Sequence, residues 1–426
     1  VLLLYSYLNS SFYIFVKPTA QITIHTKKQV TMAHKVNSNC LHFRLLFAML
    51  LFFQFSYSQT FTKVDDWVDN NISELGGRAV VLIYKDGKII YTKDKNEISR
   101  KQKFGAKWLA KKTGKDTDFS DFNIDTKQRI ASCSKWLTAA LAMTFVDEGN
   151  FNLEDTIGKF LPVMTAHNKG NIKVWQCLSH LTGIKQIGVA ASIKGTDEDT
   201  GASSSKKINL KKSLASLSKN ETNGWETMDA AMDSIANAPM EGEPGKSFHY
   251  GNAGLQIIAA ILEKIGNKNF ETLFQERIAK PLQMKNTDFG NVKVPLAAGG
   301  AWSTPKDYLN FLEMILNEGV FNDKQIISKN AIMEMQKNRV TKDAKIIYSP
   351  DEAGAWGYGF GEWIMDGSNE FQSSTAMTSP GLFGTFPWVD NQKKYCAILF
   401  TFNIKSKGRH ERYTTLKKAV DDAITK

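Results

Sequence analysis

The chain has 426 residues, 42 % hydrophobic and 23 % charged, which is enough apolar material for one large domain or two modest ones. The formal net charge is +11, but the first 58 residues hold five Lys or Arg and no Asp or Glu, leaving 49 basic against 43 acidic residues beyond them, or +6. Nucleic-acid binding needs a concentrated basic stripe, which so mild an excess does not supply, and nothing collagen-like, prion-like or coiled-coil shows in the composition; the run SSSKKINLKKS, 203–213, reads as solvent-facing.

Met32 opens MAHKVNSNCLHFRLLFAMLLFFQFSYSQT, in which Lys35 and Arg44 precede an apolar run from Leu45 to Phe53 and a short polar stretch. This order of charge, hydrophobe and small residue predicts a secretory signal peptide over 32–58, with Ser56 and Ser58 suited to the positions before a cut. The apolar run is short for a bilayer span. Residues 1–31 start with Val and read either as translation from upstream of the true start or as a further segment, VLLLYSYLNSSFYIFV, that keeps membrane attachment open. The expectation is an exported protein, periplasmic or secreted, anchored to the membrane if the leader stays. Cys133, Cys177 and Cys396 remain after such a cut; three widely spaced cysteines make neither a disulfide framework nor a zinc site.

Next, RAVVLIYKDGKIIYTKD (78–94) is two extended runs around Asp86-Gly87, a strong hairpin signal. The Lys- and Asp-rich stretch 99–125 reads as loop with a short helix. In RIASCSKWLTAALAMTFVDEG, 129–149, positions 136–148 are helix-compatible and almost wholly apolar, with Gly149 as a stop. Such a helix should run through the middle of the domain. VWQCLSHLTGI, 174–184, reads as a helix ending near Gly183, and the polar stretch 185–225 as a surface insertion. GEPGKSFHYGNAGLQIIAAILEKIG (242–266) is a loop feeding an apolar helix closed by Gly266. AAGGAWSTPKDYLNFLEMILNEG (297–319) places Thr304-Pro305 at a helix start and Gly319 at its stop. GAWGYGFGEWI, GLFGTFPWVD and KKYCAILFTFN are strand-like, and RYTTLKKAVDDAITK is a final amphipathic helix. Strands at both chain ends with helices between predict a split sheet, a helical lobe and a cleft between them.

Ser132 and Lys135 stand at i and i+3, so their side chains share a helix face. Unpaired N–H groups at a helix start favour developing negative charge, and apolar surroundings push a lysine toward its neutral form. A lysine so perturbed can take a serine's proton while the hydroxyl attacks a carbonyl. The spacing alone is weak, because Ser203/Lys206, Ser204/Lys207, Ser216/Lys219 and Ser303/Lys306 share it. Only the pair at 132 opens a long apolar helix. The competing reading makes Ser132 an N-cap and lets Lys135 reach solvent. Cys133 is expected to be a packing residue.

The segment IASCSKWLTAALAMTFVDEGNFNLEDTIGKFLP resembles the nucleophile region of the serine β-lactamase and penicillin-binding-protein superfamily, nearest its class C-like hydrolases, which include esterases and D-amino-acid peptidases. LSHLTGI, the Tyr250-Gly251-Asn252 block, AAGGAWSTPKDYLNFLEMIL and SPGLFGTFPWVD resemble further blocks of that superfamily in its order, over about 78–420. The resemblance implies an α/β (α+β) fold of β-lactamase/transpeptidase type: an antiparallel sheet from both chain ends, flanked by helices, with a helical lobe inserted, over 59–426. It further implies that Ser132 is acylated and Lys135 relays its proton. Tyr250, as a phenolate or polarised hydroxyl with its pKa pulled down by the nearby cationic lysine, would help activate Ser132 and later the deacylating water. Asn252 would orient Lys135 or the substrate, and the N–H groups of Ser132 and Leu382, just beyond Gly381, would form the oxyanion hole. Tyr250 read alone is a core or surface tyrosine, and Asn252 a helix cap.

At the third motif the chain has Ser379-Pro380-Gly381 where β-lactamases carry Lys-Thr-Gly and many relatives His-x-Gly. The cation that engages a substrate carboxylate is therefore missing, which weakens penicillin or cephalosporin hydrolysis as the reaction; Ser379 retains a hydrogen bond and Gly381 the close approach. Phe383, Phe386 and Trp388 read equally as acyl-pocket wall or sheet core, His180 as a satisfied packing histidine, and His249 is left undecided. The expected protein is a serine hydrolase acting through an acyl-enzyme on an ester, amide or lactam carbonyl of a small molecule or peptide. It is expected to need no metal or organic cofactor, to bind no nucleic acid, to be monomeric and to be open to cell-envelope association. The alternatives are a D-alanyl-D-alanine carboxypeptidase, a true β-lactamase, and an inactive peptidoglycan-binding homologue.

Overall fold

Asp86 and Gly87 both take positive φ, 52° and 79°, the geometry of a tight two-residue hairpin turn that follows strand twist. They join β1 (Arg78–Lys85) to β2 (Lys88–Asn96). The computed structural model describes residues 61–113, 119–186, 225–365 and 375–424. Its main sheet adds β3 (Gly357–Tyr358), β4 (Trp363–Ile364), β5 (Ala376–Thr378), β6 (Phe386–Asp390) and β7 (Tyr395–Thr401). The spatial order is β2-β1-β7-β6-β5-β4-β3, antiparallel throughout. The two chain ends meet where β1 pairs with β7, from Ala79 opposite Thr401 to Lys85 opposite Tyr395. The split sheet is as expected.

Both faces of this sheet are covered, which is why Ala79–Tyr84 is a continuous buried run. Helices α1 (Thr62–Asn71) and α6 (Arg409–Ile424) lie on one face, where Trp67, Val68, Leu416 and Val420 meet Val81, Ile83 and Leu399. The other face receives α5 (Pro305–Leu316) over Val80, Leu82, Ile398 and Phe400, and α3 (Ser134–Asp147) and α4 (Ala253–Gly266), packed on each other, continue the same core. The period-two alternation of strand side chains assigns each residue its face. α3 is buried from Ser134 to Phe145, the central helix its apolar sequence requires.

Several boundaries differ from expectation. The 99–125 region contains a full helix, α2 (Arg100–Thr113). The helix expected over 174–184 stops at Leu178, because His180 (φ 60°) and Gly183 (φ 69°) turn left-handed and the His180 carbonyl accepts from the His249 N–H. α4 is closed by Asn267 at φ 49°, while Gly266 remains inside the helix, where a Cβ would meet the end of the Leu273 side chain at 2.7 Å. GLFGTFPWVD is strand only from Phe386, because Gly381 and Thr385 close a turn with Gly384 at φ 92°. The leader over 32–58 and nearly all of the 185–225 insertion lie outside the described residues.

Candidate active site

The site begins with a strained backbone. Ala131 holds φ 45°, a left-handed conformation that costs about 1–2 kcal/mol in a residue with a Cβ, and starts a single 3-10 turn, Ala131–Cys133, that runs into α3. Four hydrogen bonds hold it: Ile130 N–H to the Ala301 carbonyl (3.0 Å), Ala301 N–H to Ser134 Oγ (3.0 Å), Ser134 Oγ to the Ala131 carbonyl (2.6 Å) and Tyr308 Oη to the Cys133 carbonyl (2.9 Å). Ser132 is left partly exposed at the tip. Cys133 points away, its Sγ toward the Thr385 carbonyl, and is the packing residue expected.

Lys135, one turn in, is 1 % exposed. Its Nζ lies 3.2 Å from Ser132 Oγ, 2.8 Å from the Ala298 carbonyl and 3.4 Å from Asn252 Oδ1. Burial pulls its pKa down to about 7. A neutral amine has two N–H bonds and one lone pair. The two acceptors, Ala298 and Asn252, use the N–H bonds and leave the lone pair facing the serine hydroxyl. The reading in which Lys135 reaches solvent does not hold, since the side chain is enclosed.

Tyr250 places its ring 4.7 Å from Lys135 Nζ, with its hydroxyl close enough to Ser132 for that side chain to act on its pKa. His180 (4.8 Å between ring centres) and Trp363 (5.1 Å) fix the ring from two sides. Desolvation raises the Tyr250 pKa by more than the neighbouring Ser132 hydroxyl lowers it. This corrects the expectation of a tyrosine pulled down by a cationic lysine: the same dry surroundings that neutralise the amine also keep the phenol protonated. His180 is likewise neutral, its pKa lowered by burial first and by Lys135 next. It is only half satisfied, with Nε2 3.0 Å from Tyr358 Oη and Nδ1 buried without a partner among the described residues. His249 lies outside this group and pairs with Glu241.

Asn252 occupies the cap position of α4 but makes no capping bond. Gln186 does that work, its Oε1 accepting from the N–H groups of Asn252 (2.8 Å) and Ala253 (3.0 Å), so the Asn252 amide is free to face Lys135. Ser379 is 1 % exposed and donates to the Gly361 carbonyl (2.9 Å), with the Ser132 carbonyl 3.3 Å away. Its proton therefore goes to the turn between β3 and β4 and is not held out to a ligand. A Cβ on Gly381 would fall 2.3 Å from the Ile130 carbonyl, so glycine is what lets this segment lie against Ser132. The N–H groups of Ser132 and Leu382 have no hydrogen-bond partner among the described residues, as an oxyanion hole requires. Phe386 and Trp388 are sheet core, fully buried on the far face with Phe386 stacked on Tyr413 at 4.2 Å. Sequence reasoning missed Ser134, Gln186 and the Ala298 carbonyl; only the glycine turn of AAGGAW hinted at the last.

The family model described as Beta-lactamase matches residues 68–420. The D-alanyl-D-alanine-carboxypeptidase/endopeptidase AmpH of Escherichia coli strain K12 is 20 % identical over 327 residues, 71 % of this chain and 76 % of that protein. Among solved structures, EstCE1, a hydrolase with promiscuous acyltransferase activity, superposes with a TM-score of 0.63 at 18 % identity, covering 86 % of this chain and 99 % of that one. The octameric penicillin-binding protein homologue from Pyrococcus abyssi gives 0.60 at 20 % identity, over 84 % of this chain and 76 % of that one. At these identities the structural likeness speaks for the fold.

Proposed function

The chain belongs to the beta-lactamase family of serine hydrolases, and from that premise we propose that it cleaves ester or amide bonds by acylating Ser132. The observation that carries this reading is the enclosed Lys135 amine, 3.2 Å from Ser132 Oγ. Lys135 accepts the hydroxyl proton as Oγ bonds to the substrate carbonyl carbon. The resulting oxyanion is received by the N–H groups of Ser132 and Leu382. The proton passes to the leaving alcohol or amine through the protonated Tyr250 hydroxyl, and the carbonyl–leaving-group bond breaks. Water then repeats the sequence on the acyl-enzyme, giving its proton to the same pair and releasing Ser132.

The missing cation at Ser379 favours a neutral carbonyl substrate over one carrying a carboxylate beside the scissile bond. AmpH, by its name a D-alanyl-D-alanine carboxypeptidase and endopeptidase, supports a second reading as a peptidoglycan peptidase. We further propose export to the periplasm or exterior and a monomeric state. The test is labelling by a fluorophosphonate and by fluorescent penicillin, with Ser132→Ala and Lys135→Ala as controls. Phosphonate labelling lost in Ser132→Ala, with little penicillin labelling, is the expected result. Strong penicillin labelling would favour the peptidase or a true β-lactamase. Labelling that survives in both variants would remove the mechanism, and no labelling of the parent would favour an inactive binding homologue.

A further inference from the structure

His180 touches Tyr250 but moves no proton in the acylation of Ser132, and two unfavourable features meet at it. Its backbone is left-handed, φ 60°, a conformation that residues with a Cβ rarely hold. It is 1 % exposed, and a neutral imidazole has one nitrogen that donates and one that accepts. Nε2 meets Tyr358 Oη at 3.0 Å, while Nδ1 has no partner among the described residues. A pair kept for packing alone would be better served by two phenylalanines, which leave no buried polar atom unmet. Strained backbone of this kind persists only where the surroundings hold it, and it clusters at sites of chemistry.

What the ring touches supplies the reason. Its centre lies 4.8 Å from that of Tyr250, at 66°, an edge-to-face contact, and 4.8 Å from that of Tyr358. Tyr358 in turn meets Trp363 edge-on at 4.7 Å, and Trp363 is the other wall of Tyr250, 5.1 Å away. The backbone repeats the arrangement: the His180 carbonyl accepts from the His249 N–H at 3.1 Å, one residue before Tyr250. The His180–Tyr358 bond ties the turn after Leu178 to β3, and Gly361 N–H to the Leu178 carbonyl, 3.2 Å, ties it to the turn between β3 and β4. The ring of Tyr250 is held between the parts so joined.

We infer that His180 and Tyr358 are a positioning pair, whose hydrogen bond fixes the ring of Tyr250 and so sets where its hydroxyl stands relative to Ser132. The inference rests on the acyl-enzyme reading, in which that hydroxyl passes the proton to the leaving group. The hydroxyl is at the far end of a ring held by contacts alone, so a small tilt at His180 is enlarged there, and a misplacement of about 1 Å can cost about 10²-fold in rate. Burial, and Lys135 after it, keep the imidazole neutral, so it holds Tyr358 without setting a second cation beside the amine.

The test is Tyr358→Phe, which keeps the ring and removes the hydroxyl, with His180→Phe beside it and melting temperature as the check on folding. The substrates are ethyl butyrate and para-nitrophenyl butyrate, which share an acyl group; ethoxide needs a proton to leave and nitrophenolate does not. Each variant should lose about tenfold more kcat/KM on the ethyl ester than on the nitrophenyl ester. An equal loss on both esters is what a merely structural role would give, and it would overturn the inference, as would no loss on either. Tyr358→Phe decides alone if His180→Phe does not fold. Tyr250→Phe should show the same contrast in larger measure. If it does and Tyr358→Phe does not, the positioning pair falls and the proton route stands. If Tyr250→Phe shows no contrast, or the parent cleaves neither ester, or Ser132→Ala still cleaves them, the acyl-enzyme reading fails and this inference with it.

Discussion

Lys135 shows how little of a catalytic residue is visible in its spacing. Ser303/Lys306 has the same i, i+3 relation, yet the Ser303 hydroxyl pairs with Thr287 at 2.8 Å and Lys306 is exposed. Enclosure separates the two. Because the Lys135 pKa lies at about 7, kcat/KM for a neutral aryl ester should rise with pH through 7 and level above it, as the free base accumulates. Lys135→Met should flatten that profile and lower the rate by about 10²–10⁴-fold. The same substitution has a second readout. An unfolded lysine keeps its proton to about pH 10.4, so the unfolded state binds more protons between pH 7 and that value, and wild-type stability rises with pH across the window. Lys135→Met removes the burden of a buried cation and should melt higher than wild type at pH 6, with the advantage shrinking toward pH 10. Tyr250→Phe should keep the fold and lose most of the rate, with no change in the limb near pH 7.

At the scale of elements, the nucleophile turn, the 297–303 segment and the 379–382 segment hold each other. Gly381→Ala would drive a Cβ to 2.3 Å from the Ile130 carbonyl. Overpacking of that kind costs typically 1–3 kcal/mol, and here it should also push Leu382 from the oxyanion position, so both melting temperature and turnover should fall. Glu362, between β3 and β4, offers the opposite case. It is fully buried, its carboxyl oxygens have no geometric hydrogen-bond partner among the described residues, and nearby Trp136 Nε1 is also unpaired. Burial holds its carboxyl well above the usual range, so it stays protonated when folded. The unfolded carboxyl ionises above about pH 4.3, hence stability falls as pH rises beyond that point. Glu362→Gln removes this dependence, and its gain in melting temperature should be larger at pH 8 than at pH 5. None of this was legible in GYGFGEWI, where Glu362 passes for a polar strand residue.

For the whole molecule, the joining of both chain ends in one sheet sets what can be removed. α6 covers Phe386 with Tyr413 and is tied to α1 by Trp67 Nε1 to Thr415 Oγ1 at 3.0 Å. Truncation after Gly408 would bare Phe386, Trp388 and Leu399 to water, and at about 25 cal/mol per Å² of apolar surface this loss exceeds what a domain of marginal stability tolerates; the shortened chain should be insoluble on expression. Sequence by itself determined the features that neighbours along the chain decide: the Asp86-Gly87 hairpin, the buried α3, the Thr304-Pro305 helix start, the meeting of Ser132 and Lys135 on one turn, and the order of blocks that carries the family resemblance. Tertiary structure alone decided which distant groups converge and in what protonation state. Asn252 turned to Lys135 because Gln186 had taken over its capping role, Ser379 spent its proton on Gly361, and Phe386 and Trp388 went to the sheet's far face. The physical reason is that a hydrogen bond's partner, a side chain's face and a pKa all depend on what lies across a contact, and a buried amine beside a protonated phenol exists only once the fold has excluded water from both.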